Sequence, residues 1–169
     1  MSGYATTTTT DGRVAGPITA RTLLLGFAAG VLSVLVFHQG TVWLLHMAGQ
    51  LPAGPYGLRP IPPFGVPQIV NQCFWGGLWG VAIAALLRVL RVPDLLFGFV
   101  FGAVALSLTN WVVLPAIKGG AFFAGGDPRR MAITVAIVGT FGWGVALILR
   151  GFRNQAWAAE PMDAPRPRA

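Results

Sequence analysis

Apolar residues in this chain run in long blocks rather than in alternation. Four stretches hold no Asp, Glu, Lys or Arg: residues 22–58, 60–87, 95–117 and 131–149. Each can supply the roughly 20 mostly apolar residues that a membrane-spanning helix needs. A transmembrane barrel would show short segments of alternating polarity instead. The blocks therefore predict helices at about 20–49, 67–91, 94–114 and 128–150. The expected fold is all-α: a polytopic integral membrane protein with four transmembrane helices in one domain over residues 20–150.

Proline and glycine punctuate these helices. Pro52 and Pro55 stop the first. The loop 51–66 contains Pro60-Ile61-Pro62-Pro63, which should be stiff and extended, because proline fixes φ and disfavours helix before it. With Tyr56, Ile61 and Phe64 to pack, the loop is expected to fold over the bundle end. Pro67 is placed to open the second helix. Pro93 and Asp94 mark a very short turn, and the third helix should end near Pro115. A glycine-rich loop spans 118–126. Asp127-Pro128 reads as an N-cap followed by proline at the first helical position. Residues 1–19, with threonine from Thr6 to Thr10, and the proline-bearing tail 151–169 are expected to be disordered.

The chain repeats itself. Leu25-Gly26-Phe27-Ala28-Ala29-Gly30 resembles Phe97-Gly98-Phe99-Val100-Phe101-Gly102, an offset of 72, and Trp79-Gly80-Val81-Ala82 recurs as Trp143-Gly144-Val145-Ala146, an offset of 64. The order is the same in both halves. This predicts two tandem helical hairpins related as a parallel repeat. Membrane folds built from repeats tend to place polar sites where the repeats meet.

Small residues form stripes at helical spacing. Gly-x-x-x-Gly occurs at Gly26/Gly30, Gly76/Gly80 and Gly98/Gly102. Lipid gives no hydrophobic drive for helix association, so close backbone approach through small residues supplies the contact. Packing within one bundle is the expected use, with homo-oligomerisation as the alternative.

Charge changes the picture mainly by its placement. Only 10% of residues are charged and 54% are hydrophobic, with mean hydropathy +0.66. An ordinary soluble domain is about 25% charged. The net charge of +7 does not form a basic stripe, so no nucleic-acid partner is expected. Basic residues instead flank the apolar blocks. Eight fall on the side of the termini (Arg13, Arg21, Arg88, Arg91, Arg150, Arg153, Arg166, Arg168) and four on the other (Arg59, Lys118, Arg129, Arg130). The positive-inside rule then puts both termini in the cytoplasm. Residues 1–16 are polar and small, and the block beginning at Thr22 exceeds the roughly 7–15 residues of a signal-peptide core, so it reads as a retained helix. The Ala-, Gly- and Arg-rich composition suits a bacterial inner membrane.

Candidate chemistry is sparse. The five acids, Asp11, Asp94, Asp127, Glu160 and Asp163, all lie outside the apolar part of the spans. Coupled transport through a buried carboxylate is therefore not expected. No nucleophile triad, His-Glu-x-x-His or phosphate loop is present in the sequence. Cys73 is the single cysteine. His38 and His46, eight residues apart on one helix, stand about 12 Å apart along its axis and cannot share an ion. Neither a metal site nor a cofactor is expected, and the chain does not read as an enzyme.

Polar residues inside the blocks gather toward the outer half: His38, Gln39, Thr41, Asn71, Gln72 and Asn110. They define a candidate polar vestibule open to the periplasm. Asn110 corresponds to His38 in the repeat. His38 is the sharpest candidate, because intramembrane ionisable groups mark function. The bland role for the amides is interhelical hydrogen bonding that fixes register.

The expected function is a non-enzymatic accessory, assembly or scaffold component in the lipid bilayer. A homo-oligomer or a membrane partner subunit would be its company. The alternative is a small channel or carrier with a vestibule around His38. A weaker alternative is a haem or redox membrane protein.

Overall fold

The computed structural model describes residues 18–90 and 92–158, with side chains to Arg153. Its architecture is four long helices: α1 (Ala20–Met47), α2 (Gln68–Val89), α3 (Asp94–Lys118) and α4 (Pro128–Ala158). Each is long and apolar enough to cross a membrane, α4 over Pro128–Arg153. Of the segments expected to be disordered, 1–19 and 151–169, residues 1–17 and 159–169 lie outside the described residues, while 151–158 are helical.

Helix boundaries follow local chemistry. Thr19 caps α1 reciprocally with Thr22: the Thr22 N–H donates to Thr19 Oγ1 at 3.2 Å, and the Thr19 N–H donates to Thr22 Oγ1 at 3.4 Å. That satisfies two of the donors a helix start leaves unpaired. The Arg129 N–H donates to Asp127 Oδ1 at 2.9 Å, so Asp127 caps α4, whose first residue is Pro128. α4 runs eight residues past the expected end at Arg150. Phe152 packs on the core there, and Arg153 pairs with Asp94 at the start of α3. Tertiary anchors thus hold a segment that reads as tail.

Two proline expectations are corrected. Pro67 does not open α2. It lies in an extended two-residue strand, β2 (Val66–Pro67), paired antiparallel with β1 (Pro60–Ile61), and its ψ of 139° keeps it outside the helix. Pro115 does not end α3. The helix passes through it to Lys118, after two wide π-turns at Gly102–Leu106 and Thr109–Val113. A proline in a regular helix clashes with the carbonyl four residues back, and a widened turn before it gives the ring room. The stop comes at Gly119, with φ +69°.

α1 packs along α2, α3 along α4, and the two pairs meet chiefly through α1 and α4. The pairs use one device. Gly30 faces the Gly76 carbonyl, and Gly80 faces the Gly26 carbonyl. In the other pair Gly102 faces the Val138 carbonyl, and Gly142 faces that of Gly98. A methyl at Gly26 would come 2.8 Å from Ala84 Cβ, and one at Gly98 would come 2.7 Å from Ala146 Cβ. The Phe27 ring covers Gly77, as the Phe99 ring covers Gly139.

The matched partners on α2 and α4 (Gly77 and Gly139, Gly80 and Gly142, Ala84 and Ala146) are 62 residues apart. The recurrence of Trp-Gly-Val-Ala at offset 64 is therefore not the contact register. Gly144 faces Ser33 and Phe37 of α1, not α3.

The core lies where the helices converge, with Val34, Ile83, Leu106, Phe141 and Val145 buried. Ser33 Oγ donates to the Phe141 carbonyl at 2.6 Å, and Phe37 meets Trp143 edge to face at 5.6 Å. Outward surfaces carry Leu24, Val36, Leu44, Val104 and Val113, an apolar exterior suited to lipid.

Replacing Gly30 by Val drives a side chain into the Gly76 backbone and should cost at least about 1–3 kcal/mol. Gly40→Ala, with nothing within 4 Å of the new methyl, should be neutral or stabilising. Unfolding midpoints in detergent measure both; a Gly30→Val protein as stable as the parent would refute the close-packed pair.

Candidate functional site

The strongest polar feature at the loop 51–66 end of the bundle is a clamp built on Gln39. A π-turn at Val34–His38 widens α1 just before it. Gln39 is 2% exposed, and both ends of its amide are used. Nε2 donates to Gln72 Oε1 of α2 at 2.8 Å, and Oε1 accepts the Tyr56 N–H at 2.9 Å. The Tyr56 hydroxyl donates to the Leu35 carbonyl, beside the wide turn, at 2.8 Å. One residue therefore joins two helices and the loop 51–66. Tyr56 makes this reach from a left-handed backbone, φ +56°, between Pro55 and Gly57.

Further contacts hold the loop to the helix ends. His46 Nδ1 lies 2.9 Å from the Leu51 carbonyl oxygen. The Gln68 N–H donates to the Arg59 carbonyl and the Ile69 N–H to that of Gly57, both at 3.0 Å. Arg129 Nε donates to Gln50 Oε1 at 3.0 Å, tying the start of α4 to the loop. Of the side chains expected to pack the loop, Tyr56 docks through its hydroxyl and Ile61 is half-buried, but Phe64 is 87% exposed. The turn that carries Phe64 connects β1 and β2, and its residues 62–65 are exposed.

The six vestibule candidates separate into different settings. Gln39 and Gln72 come together. Thr41 donates back to the Phe37 carbonyl at 2.8 Å, within its own helix. Asn110 is exposed and donates to the Leu106 carbonyl of α3 at 2.8 Å, so it does not join the clamp. Asn71 is half-buried and forms no side-chain hydrogen bond among the described residues. His38 points Nδ1 into the interior, where it meets no partner. Ser107 Oγ and Trp111 Nε1 on α3 are likewise buried without partners.

The clamp was only half visible in the sequence. Gln39 and Gln72 stand out as amides in apolar blocks. Tyr56 as their partner is not signalled by any periodicity, and only the Pro-Tyr-Gly context hints at a special turn. Among the described residues no three His, Cys, Asp or Glu side chains gather as a metal-binding group would require.

The class that fold and site define is a bundle of four potential membrane-spanning helices with a loop clamped over one end. Comparison with known proteins finds no matching family model, no curated relative and no matching solved structure.

Gln72→Leu would leave the buried Gln39 amide without its α2 partner and should lower stability by about 1 kcal/mol. Asn110→Ala should change it by less than about 0.5 kcal/mol. Equal losses from the two substitutions, in the same unfolding assay, would remove the clamp as a special feature. Tyr56→Phe should speed protease cutting in the loop while leaving the helices intact.

Proposed function

We propose that this chain is an integral membrane protein of a bacterial inner membrane, built as two tandem, duplicated hairpins with both termini in the cytoplasm. In this reading it acts as a non-enzymatic accessory, assembly or scaffold component. The observation that carries the reading is how its intramembrane polar groups are used. Gln39, Gln72, Thr41 and Asn110 bond to one another, to the loop or to their own helix backbone. Such bonds fix register and shape and leave those groups little for a solute.

The duplication is supported by the recurrence of helix contacts at consistent offsets, down to a phenylalanine ring over a glycine in each hairpin. The orientation rests on the eight-to-four bias of basic residues. The apolar exterior favours a lipid setting.

A second reading, a small channel or carrier, draws on a single observation: the buried, unpartnered Nδ1 of His38. Native mass spectrometry of the protein drawn gently from its own membrane separates the two. A second membrane subunit at fixed stoichiometry is expected. A bare protein that carries solute flux in liposomes, with the flux lost in His38→Ala, would replace the accessory reading by the carrier one. An added haem mass would replace it by a redox role.

Topology has its own check. In a Cys73→Ser background, a cysteine at position 59 should react with an impermeant maleimide from outside, and one at position 150 only after permeabilisation. The reverse pattern would invert the orientation.

A further inference from the structure

At the end of the bundle opposite the clamp, α1, α2 and α4 leave a cleft of about 220 Å³ between them. Its polar lining is Thr19, Arg21 and Thr22 at the start of α1, Arg88 at the end of α2 and Arg153 of α4. Its apolar lining includes Leu25, Leu87 and Phe152. Three arginines thus line one small cleft. Among the described residues a single carboxylate answers them: Asp94, which pairs with Arg153 and holds it at the rim.

Helix polarity accounts for one of these cations and an ion pair for another. Arg88 lies in the last turn of α2, where positive charge is favourable, and Arg153 is paired with Asp94. Arg21 lies in the first turn of α1, which contains no acid, so its charge adds to the positive end of the helix dipole. Arg21 and Arg88 thus bring two cations without a carboxylate partner among the described residues to one cleft. An inorganic anion alone would leave the leucine and phenylalanine lining unused. A phosphate attached to hydrocarbon uses both. Basic clefts between spanning helices at the cytoplasmic face are suited to anionic lipid headgroups.

We infer that this cleft binds an anionic phospholipid, its phosphate held between Arg21 and Arg88 and an acyl chain laid along Leu25, Leu87 and Phe152. The inference rests on the membrane reading above. Arg153, paired with Asp94, lines the same space. Bound lipid would join three helices at the end where the described residues supply no polar clamp like that of Gln39.

The test uses the full chain in nanodiscs of phosphatidylcholine alone or mixed equally with phosphatidylglycerol, with retained lipid read by native mass spectrometry. Retention of phosphatidylglycerol over phosphatidylcholine by about tenfold or more is expected. Arg21→Gln with Arg88→Gln should abolish the preference, while Arg129→Gln with Arg130→Gln, at the other end, should keep it. Equal retention of the two lipids by the wild-type chain overturns the proposal without any variant having to fold. Equal loss in both double variants overturns it too, as would displacement of the lipid by inorganic phosphate at matched concentration. A preference that appears only after Glu160→Gln with Asp163→Asn would assign the cleft to the chain's own acidic tail instead. Alkaline extraction from phosphatidylcholine vesicles is run first. A chain stripped off the vesicles fails the membrane reading itself, whereas one that resists and shows no lipid preference fails only this inference.

Discussion

Backbone against backbone is the contact on which the rest of this molecule depends. Where Gly30 meets the Gly76 carbonyl and Gly142 meets that of Gly98, no side chain separates the helices. Surroundings as apolar as the helix surfaces offer no hydrophobic gain from burying one helix on another. Attraction must come from many short-range contacts, and these fall off steeply with distance. Glycine at the crossing is what lets α1 approach α2 and α3 approach α4. Once those pairs are close, Val34 of α1 and Phe141 of α4 can reach Gly76, and the core closes around that junction.

Close packing of this kind fixes separation but tolerates sliding. Polar contacts supply the register. Ser33 bonding the Phe141 carbonyl sets α1 against α4, and Gln39 bonding Gln72 sets α1 against α2. Arg153 and Asp94 set the end of α4 against the start of α3. Each is a single interaction of modest strength, yet each is costly to leave unmade in apolar surroundings. The π-turn in α1 belongs to the same economy of partners. It loosens the backbone ladder beside Leu35, whose carbonyl accepts the Tyr56 hydroxyl. A loop held by both its backbone and its side chain is thereby joined to the helices rather than left beside them.

Much of this was legible from the residues alone. Uncharged blocks gave four helices in order, and Asp127 caps α4 as its place before Pro128 indicates. The glycine stripes pointed to the helix faces that meet. The polar site was legible only as a set of names: Gln39 and Gln72 do meet, whereas Asn110 faces outward on α3 and bonds within its own helix. Spacing along a helix tells which residues share a face. It does not tell which neighbour that face will find.

The sequence by itself determined helix number, order and the small-residue faces, because hydropathy and backbone hydrogen-bond satisfaction act over one or two turns. Tertiary structure alone decided the rest. It set the matching contacts of α2 and α4 at an offset of 62 rather than 64, carried α3 through Pro115 on a widened turn, and brought Tyr56 to Gln39. It also gathered Arg21, Arg88 and Arg153 from three helices around one cleft. These outcomes depend on how far two helices slide and rotate before their surfaces interlock. That balance is struck between residues far apart in the chain, so no local pattern encodes it.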